Sequence, residues 1–112
     1  MDRSNQLTLA GHIAARDALR YTPAGVAIVS FRVGHASRQV EAGGERAVEM
    51  EIACVAVEDE ARAVAAAPLG MGVRVAGFLA PKAKSSRQLV LHVMNIEFAE
   101  GAIDAPTQER QR

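Results

Sequence analysis

Leu7, Leu9, Gly11 and Ile13 alternate with Thr8, Ala10 and His12, a period of two that predicts a half-buried β-strand. A second strand is expected over 26–33, almost wholly apolar and containing Phe31. A third begins where Val48, Met50 and Ile52 alternate with Glu49 and Glu51, and it continues as a buried run through 53–57. The period then breaks. Glu58, Asp59 and Glu60 stand where acids favour a helix N-terminus, and Ala61, Ala63 and the alanine run 65–67 are strong helix formers. Pro68 and Gly70 end that helix. Val73 to Leu79 reads as a fourth strand. The fifth, 89–98, sets Leu89, Leu91 and Val93 against Val90, His92 and Met94. Thr22-Pro23-Ala24-Gly25 is a turn signal, and Ala42-Gly43-Gly44-Glu45 reads as a flexible loop.

Three strands, a short helix and two more strands predict an all-β protein, a five-stranded OB-fold barrel with the helix between strands three and four. The barrel is expected over residues 1–100. Residues 101–112 have too few large apolar side chains to dock and are expected to form a disordered C-terminal tail. A chain of 112 residues fits one domain. At that size dimerisation is a reasonable route to further burial. No apolar run approaches the ~20 residues that span a bilayer, and the start of the chain lacks the apolar stretch of a signal peptide. The expectation is a cytoplasmic protein without a membrane partner. The single Cys54 sits in an apolar run and reads as a small core residue.

Charge changes this picture. Thirteen basic residues balance 13 acidic ones, so the net charge of zero points to no partner. The balance hides a segregation, however. Between Glu60 and Glu97 there is no acid, yet Arg62, Arg74, Lys82, Lys84 and Arg87 all fall there. Lys82 and Lys84 are the chain's only lysines, and with Arg87 they lie in the loop between strands four and five. Arg16, Arg20 and Tyr21 lie in the loop between strands one and two. An OB-fold binds oligonucleotides on strands two and three and on these same two loops.

Lys82, Lys84, Arg87 and Arg20 are therefore expected to contact phosphates. Arg16 either joins them or pairs with Asp17, and Tyr21 either stacks on a base or caps the barrel. Arg46 is a further candidate, although Glu45 and Glu49 stand close enough in sequence to neutralise it. His35, at the end of strand two, is a candidate hydrogen-bond donor. Phe31, Phe78 and Phe98 are expected in the core. The histidines show no metal-ligand spacing, and no catalytic constellation or phosphate-binding glycine loop stands out. No enzyme activity, metal or cofactor is expected.

Several segments together resemble the primosomal replication protein N (PriB) family, which is related to bacterial single-stranded DNA-binding protein. They are 5–11 (Asn-Gln-Leu-Thr-Leu-Ala-Gly), the Thr22-Pro23-Ala24-Gly25 turn followed by Ser30-Phe31, and Gly77-Phe78 leading into Lys82-Ala83-Lys84. Leu89-Val90-Leu91-His92 leading into Ile96 completes the set, so the resemblance covers residues 5–98. It implies a homodimer that binds single-stranded DNA without strong sequence preference and stimulates the primosomal helicase that restarts stalled forks. It implies DNA-backbone contacts for Lys82 and Lys84, and basic binding positions for Arg20 and Arg46. The chain departs from better-known members where Gly44 and Val48 occupy places of stacking aromatics. Stacking contributes about 1–3 kcal/mol per base, so weaker DNA binding is expected. The alternative is an OB-fold interaction module of weak DNA affinity that docks on the helicase or on single-stranded DNA-binding protein.

Overall fold

The alternation at the start of the chain becomes β1 (Leu7–Arg16). In the computed structural model, which describes residues 2–99, this strand serves two neighbours. It pairs antiparallel with β5 (Gly72–Pro81) through Leu7 to His12 and with β3 (Ala27–Glu41) through His12 to Arg16. A register shift between Ile13 and Ala15 bends it from one to the other. At the crossing, a Cβ on Gly11 would collide with the Gly34 carbonyl, so two strands meet there only because glycine leaves the space.

The remaining strands close the barrel. β3 forms a long hairpin with β4 (Gly44–Val57), β4 pairs in parallel with β6 (Leu89–Phe98), and β6 runs antiparallel to β5. The parallel seam is only two residue pairs long, Cys54 with Leu91 and Val55 with His92. The two-residue β2 (Arg20–Tyr21) adds to the edge of β3. The result is the expected five-stranded OB barrel, with one extra short strand that periodicity could not reveal. Ile13, Val29, Val33, Val75 and Leu91 are fully buried inside it.

Helix α1 (Glu58–Ala66) follows β4 and packs Ala61 and Val64 against the barrel core. Arg62 bridges Glu58 and Asp59 on its outer side.

Two expectations need correction. The second strand does not stop at 33, and the third does not start at 48. β3 and β4 continue past the barrel as a two-stranded arm whose last pair is Glu41 with Gly44. The expected flexible loop is a tight turn with positive φ at both Ala42 (54°) and Gly43 (79°). That signature belongs to type I′, which matches the twist of a hairpin. Periodicity missed the arm because it leaves the core and is solvated on both faces. The second correction concerns the aromatics. Phe31 is a core residue at 3% exposure, but Phe98 is exposed and Phe78 is only half-buried. The expected tail at 101–112 lies outside the described residues.

Candidate nucleic-acid interface

Alternation along β3 and β4 decides which side chains face outward. Phe31, Val33 and Cys54 point into the barrel, so Ser30, Arg32 and Ala53 point out. These outward residues floor a groove of about 850 Å³. Arg16, Asp17 and Arg20 line one side of it, and Lys82, Gln88, Val90 and His92 line the other. The strands predicted to carry ligand thus meet the two basic loops in one concavity.

Both loops are held by their own hydrogen bonds. The Thr22 to Gly25 turn closes when the Gly25 amide donates to the Thr22 carbonyl at 2.8 Å, and the Val26 amide donates to Thr22 Oγ1 at 3.1 Å. In the 82–88 loop the Lys82 amide donates to the Gln88 carbonyl (2.8 Å) and the Ser86 amide to the Ala83 carbonyl (2.9 Å). The second bond closes a β-turn with Lys84 and Ser85 at its corners. Lys82, Lys84 and Arg87 are all exposed, and only Lys82 lines the groove itself.

The other candidates separate. Arg20 sits opposite Ile28, on the face shared by Ser30 and Arg32, and so lines the groove. Tyr21 sits opposite the buried Ala27, on the other face. It is 61% exposed and contributes nothing to the groove. Arg16 lines the groove, but its Nε donates to the Val64 carbonyl at the end of α1 (3.2 Å), and it makes no bridge to Asp17. Arg46 lies on the arm, paired with Glu41 at 3.1 Å. His35 lies away from the groove. Its Nδ1 is 2.7 Å from the Ala10 carbonyl, which can only accept, so Nδ1–H donates there, and Nε2 lies at hydrogen-bond distance, 2.8 Å, from Ser37 Oγ. His35 therefore ties β1 to the base of the arm.

Three groove residues escaped sequence reasoning. Arg32 lies on the floor and donates from Nε to Glu51 Oε1 at 3.0 Å. His92 also lines the groove and stacks on Phe78, with ring centroids 4.9 Å apart and planes within 1°. The available signal was parity: Arg32, Glu51 and His92 each follow or precede an inward-facing apolar neighbour, the buried Phe31 and Leu91 and the half-buried Ile52. Beneath the floor, Cys54 is buried, and burial pushes its thiol up to about 12 against a smaller opposing pull from the Arg32 charge. A thiol held neutral in this way is a packing group. Among the described residues, no cluster of His, Cys, Asp or Glu is placed to hold a metal, and no helix is long and apolar enough to cross a membrane.

Comparison with known proteins agrees with this geometry. Residues 5–95 match the model of a family described as another single-strand binding protein family. A replication restart protein PriB of Nitrosomonas europaea is 40% identical over 89 residues, covering 80% of this chain and 82% of that protein. Its counterpart in Bordetella pertussis is 38% identical over 99 residues, covering 88% of this chain and 92% of that one. The solved structure of PriB from Ralstonia solanacearum superposes with a TM-score of 0.75 at 32% identity, covering 85% of this chain and 98% of that one. With a family match across most of its length and relatives of this identity aligned nearly end to end, the chain belongs to the PriB family of single-strand binding proteins.

Proposed function

We propose that the protein is a single-stranded DNA-binding accessory of replication restart. It holds the DNA backbone in the groove between its two basic loops and stimulates the restart helicase. On this reading it acts in the cytoplasm as a homodimer and carries out no chemical step. The observation that carries the reading is the distribution of free cations. Arg20 and Lys82 line the groove, Lys84 and Arg87 are exposed on the loop that carries Lys82, and none of the four has a carboxylate within bridging distance among the described residues. Lys82 and Arg20 contact phosphates along the groove. Lys84 and Arg87 extend the positive rim beyond it, and His92 on Phe78 offers the flat surface that Tyr21 does not.

One observation favours a second reading. No Tyr or Phe side chain other than the buried Phe31 lines the groove, so stacking adds less than in an aromatic-rich OB face. A protein with weak DNA affinity would then work mainly by docking on the helicase or on single-stranded DNA-binding protein.

Fluorescence anisotropy of labelled oligo-dT, at low and moderate salt and beside a duplex of equal length, separates the two. The first reading expects binding that prefers the single strand and weakens with log[salt] by about 0.7 per phosphate contacted. No binding even at low salt rejects it and leaves the docking reading.

A further inference from the structure

One cation of the groove is already paired with a carboxylate. Arg32 stands on the outward face of β3 with small neighbours on every side: Ser30 two residues before it, Gly34 two residues after it, and Ala53 directly opposite. Its guanidinium is therefore the tallest group on the floor. It does not point at an empty groove. Glu51, opposite Gly34 and so diagonal to Arg32, also lines the groove and accepts from Arg32 Nε at 3.0 Å. The two side chains are 48% and 53% exposed. A pair this exposed is weak. The contact is made through Nε, one of the five N–H donors of the guanidinium.

We propose that Glu51 is an internal competitor for DNA phosphate, and that Arg32 is a latent phosphate contact released when a phosphate takes the place of the carboxylate. This rests on the reading of the groove as a single-stranded DNA site and names the residues that tune it. A phosphate oxygen is the same kind of acceptor as Glu51 Oε1, and a phosphate can engage the guanidinium fork bidentately. The exchange therefore replaces a weak contact with a stronger one. Its cost is the displaced carboxylate, which stays close to the phosphate that displaced it and repels it. Glu51 thus lowers affinity twice, by occupying Arg32 before binding and by opposing phosphate afterwards. The arm's Arg38–Glu45 and Arg46–Glu41 pairs differ in place, since none of these four residues lines the groove.

The test compares the unaltered protein with Glu51→Gln, Arg32→Ala, the double variant and Glu45→Gln, by anisotropy on labelled oligo-dT over a salt series. Glutamine keeps the shape of Glu51 and removes its charge, and the position is exposed, so folding is preserved. Glu51→Gln is expected to tighten binding roughly three- to tenfold and to steepen the salt slope by about 0.7, the increment for one added single-strand phosphate contact. Arg32→Ala is expected to weaken binding about two- to fivefold. In the double variant most of the gain from Glu51→Gln is expected to vanish, because the released partner is missing. Glu45→Gln changes net charge equally and is expected to stay within about twofold of the unaltered protein.

An unchanged affinity and slope in Glu51→Gln overturns the proposal. So does an equal gain from Glu45→Gln, which would make the effect one of net charge. A full gain retained in the Arg32→Ala background overturns the role of Arg32. If the unaltered protein fails to bind and Glu51→Gln binds, the proposal stands. If neither binds, it falls together with the reading on which it rests. Binding by the unaltered protein with no response to Glu51→Gln removes this proposal alone.

Discussion

The β3–β4 arm and the 82–88 loop both project from the barrel, and both carry basic side chains, in opposite electrical states. On the arm, Arg38 faces Glu45 at 3.0 Å and Arg46 faces Glu41 at 3.1 Å. On the loop, Lys82, Lys84 and Arg87 have no acidic partner among the described residues. The cause is how each is built. A tight hairpin folds a chain segment back on itself, so acids a few residues away in sequence arrive beside the arginines. The loop belongs to a stretch with no acid between Glu60 and Glu97, and its turn brings in none. A cation's availability for DNA depends on what the backbone places opposite it, and a count of charges does not show this.

The largest test of this contrast is a pair of double variants. Lys82→Ala with Lys84→Ala is expected to reduce single-stranded DNA affinity by roughly ten- to a hundredfold and to flatten the salt slope by about 1.4. Arg38→Ala with Arg46→Ala, the same loss of charge, is expected to stay within about twofold. Equal losses in the two would break the comparison and return the arm to the binding surface. Anisotropy titrations across salt decide it.

A smaller effect marks where the arm ends and the barrel begins. Cys54 lies on β4 inside the barrel, and burial raises its thiol to about 12, whereas an unfolded thiol titrates near ~8.5. A folded value above the unfolded one gives stability that is complete below the lower value and is lost as pH climbs toward the higher. Denaturant stability is therefore expected to fall by roughly 1 kcal/mol between about pH 8.5 and 9.5. The Cys54→Ala variant is expected to lack this part of the slope. A native thiol that reacts freely with a disulfide reagent at pH 8 would contradict its burial.

The smallest effect concerns the arm's turn. Ala42 holds φ at 54°, a conformation asparagine tolerates better than alanine. Ala42→Asn is expected to stabilise the fold by about 0.5 kcal/mol in denaturant melts and to leave DNA affinity unchanged. A change in affinity would show that the arm's geometry reaches the groove.

Legibility in the sequence followed burial. β1, the barrel half of β3, α1, β5 and β6 were all readable, because each has apolar positions that must face a core. The arm was not, because Ala36, Ser37, Arg38 and Gln39 meet water on both faces and carry no period. β2 is too short to have one. The candidate site is legible at its rim, where position and charge make Arg20, Lys82 and Lys84 stand out. Its floor is not. Arg32 looked like a charge within an apolar strand, and its tie to Glu51 depends on a cross-strand register that no linear spacing displays. The two alternatives for Tyr21 stay open in the sequence for the same reason. Only its pairing with Ala27 through a two-residue strand turns it from the groove.

The two-sided pairing of β1 also has a consequence in time. Among the barrel strands this one comes first in the chain, yet Leu7 and Leu9 find their partners only when Gly77 and Val75 have been made. Until then one edge of β1 carries unpaired amides and apolar side chains beside them, the kind of edge another chain can pair with. Closure that depends on such distant partners also folds slowly, on the millisecond-to-second scale of barrels rich in long-range pairing. The nascent chain is thus exposed to mispairing until β5 arrives, and the folded barrel is protected because β5 has covered that edge.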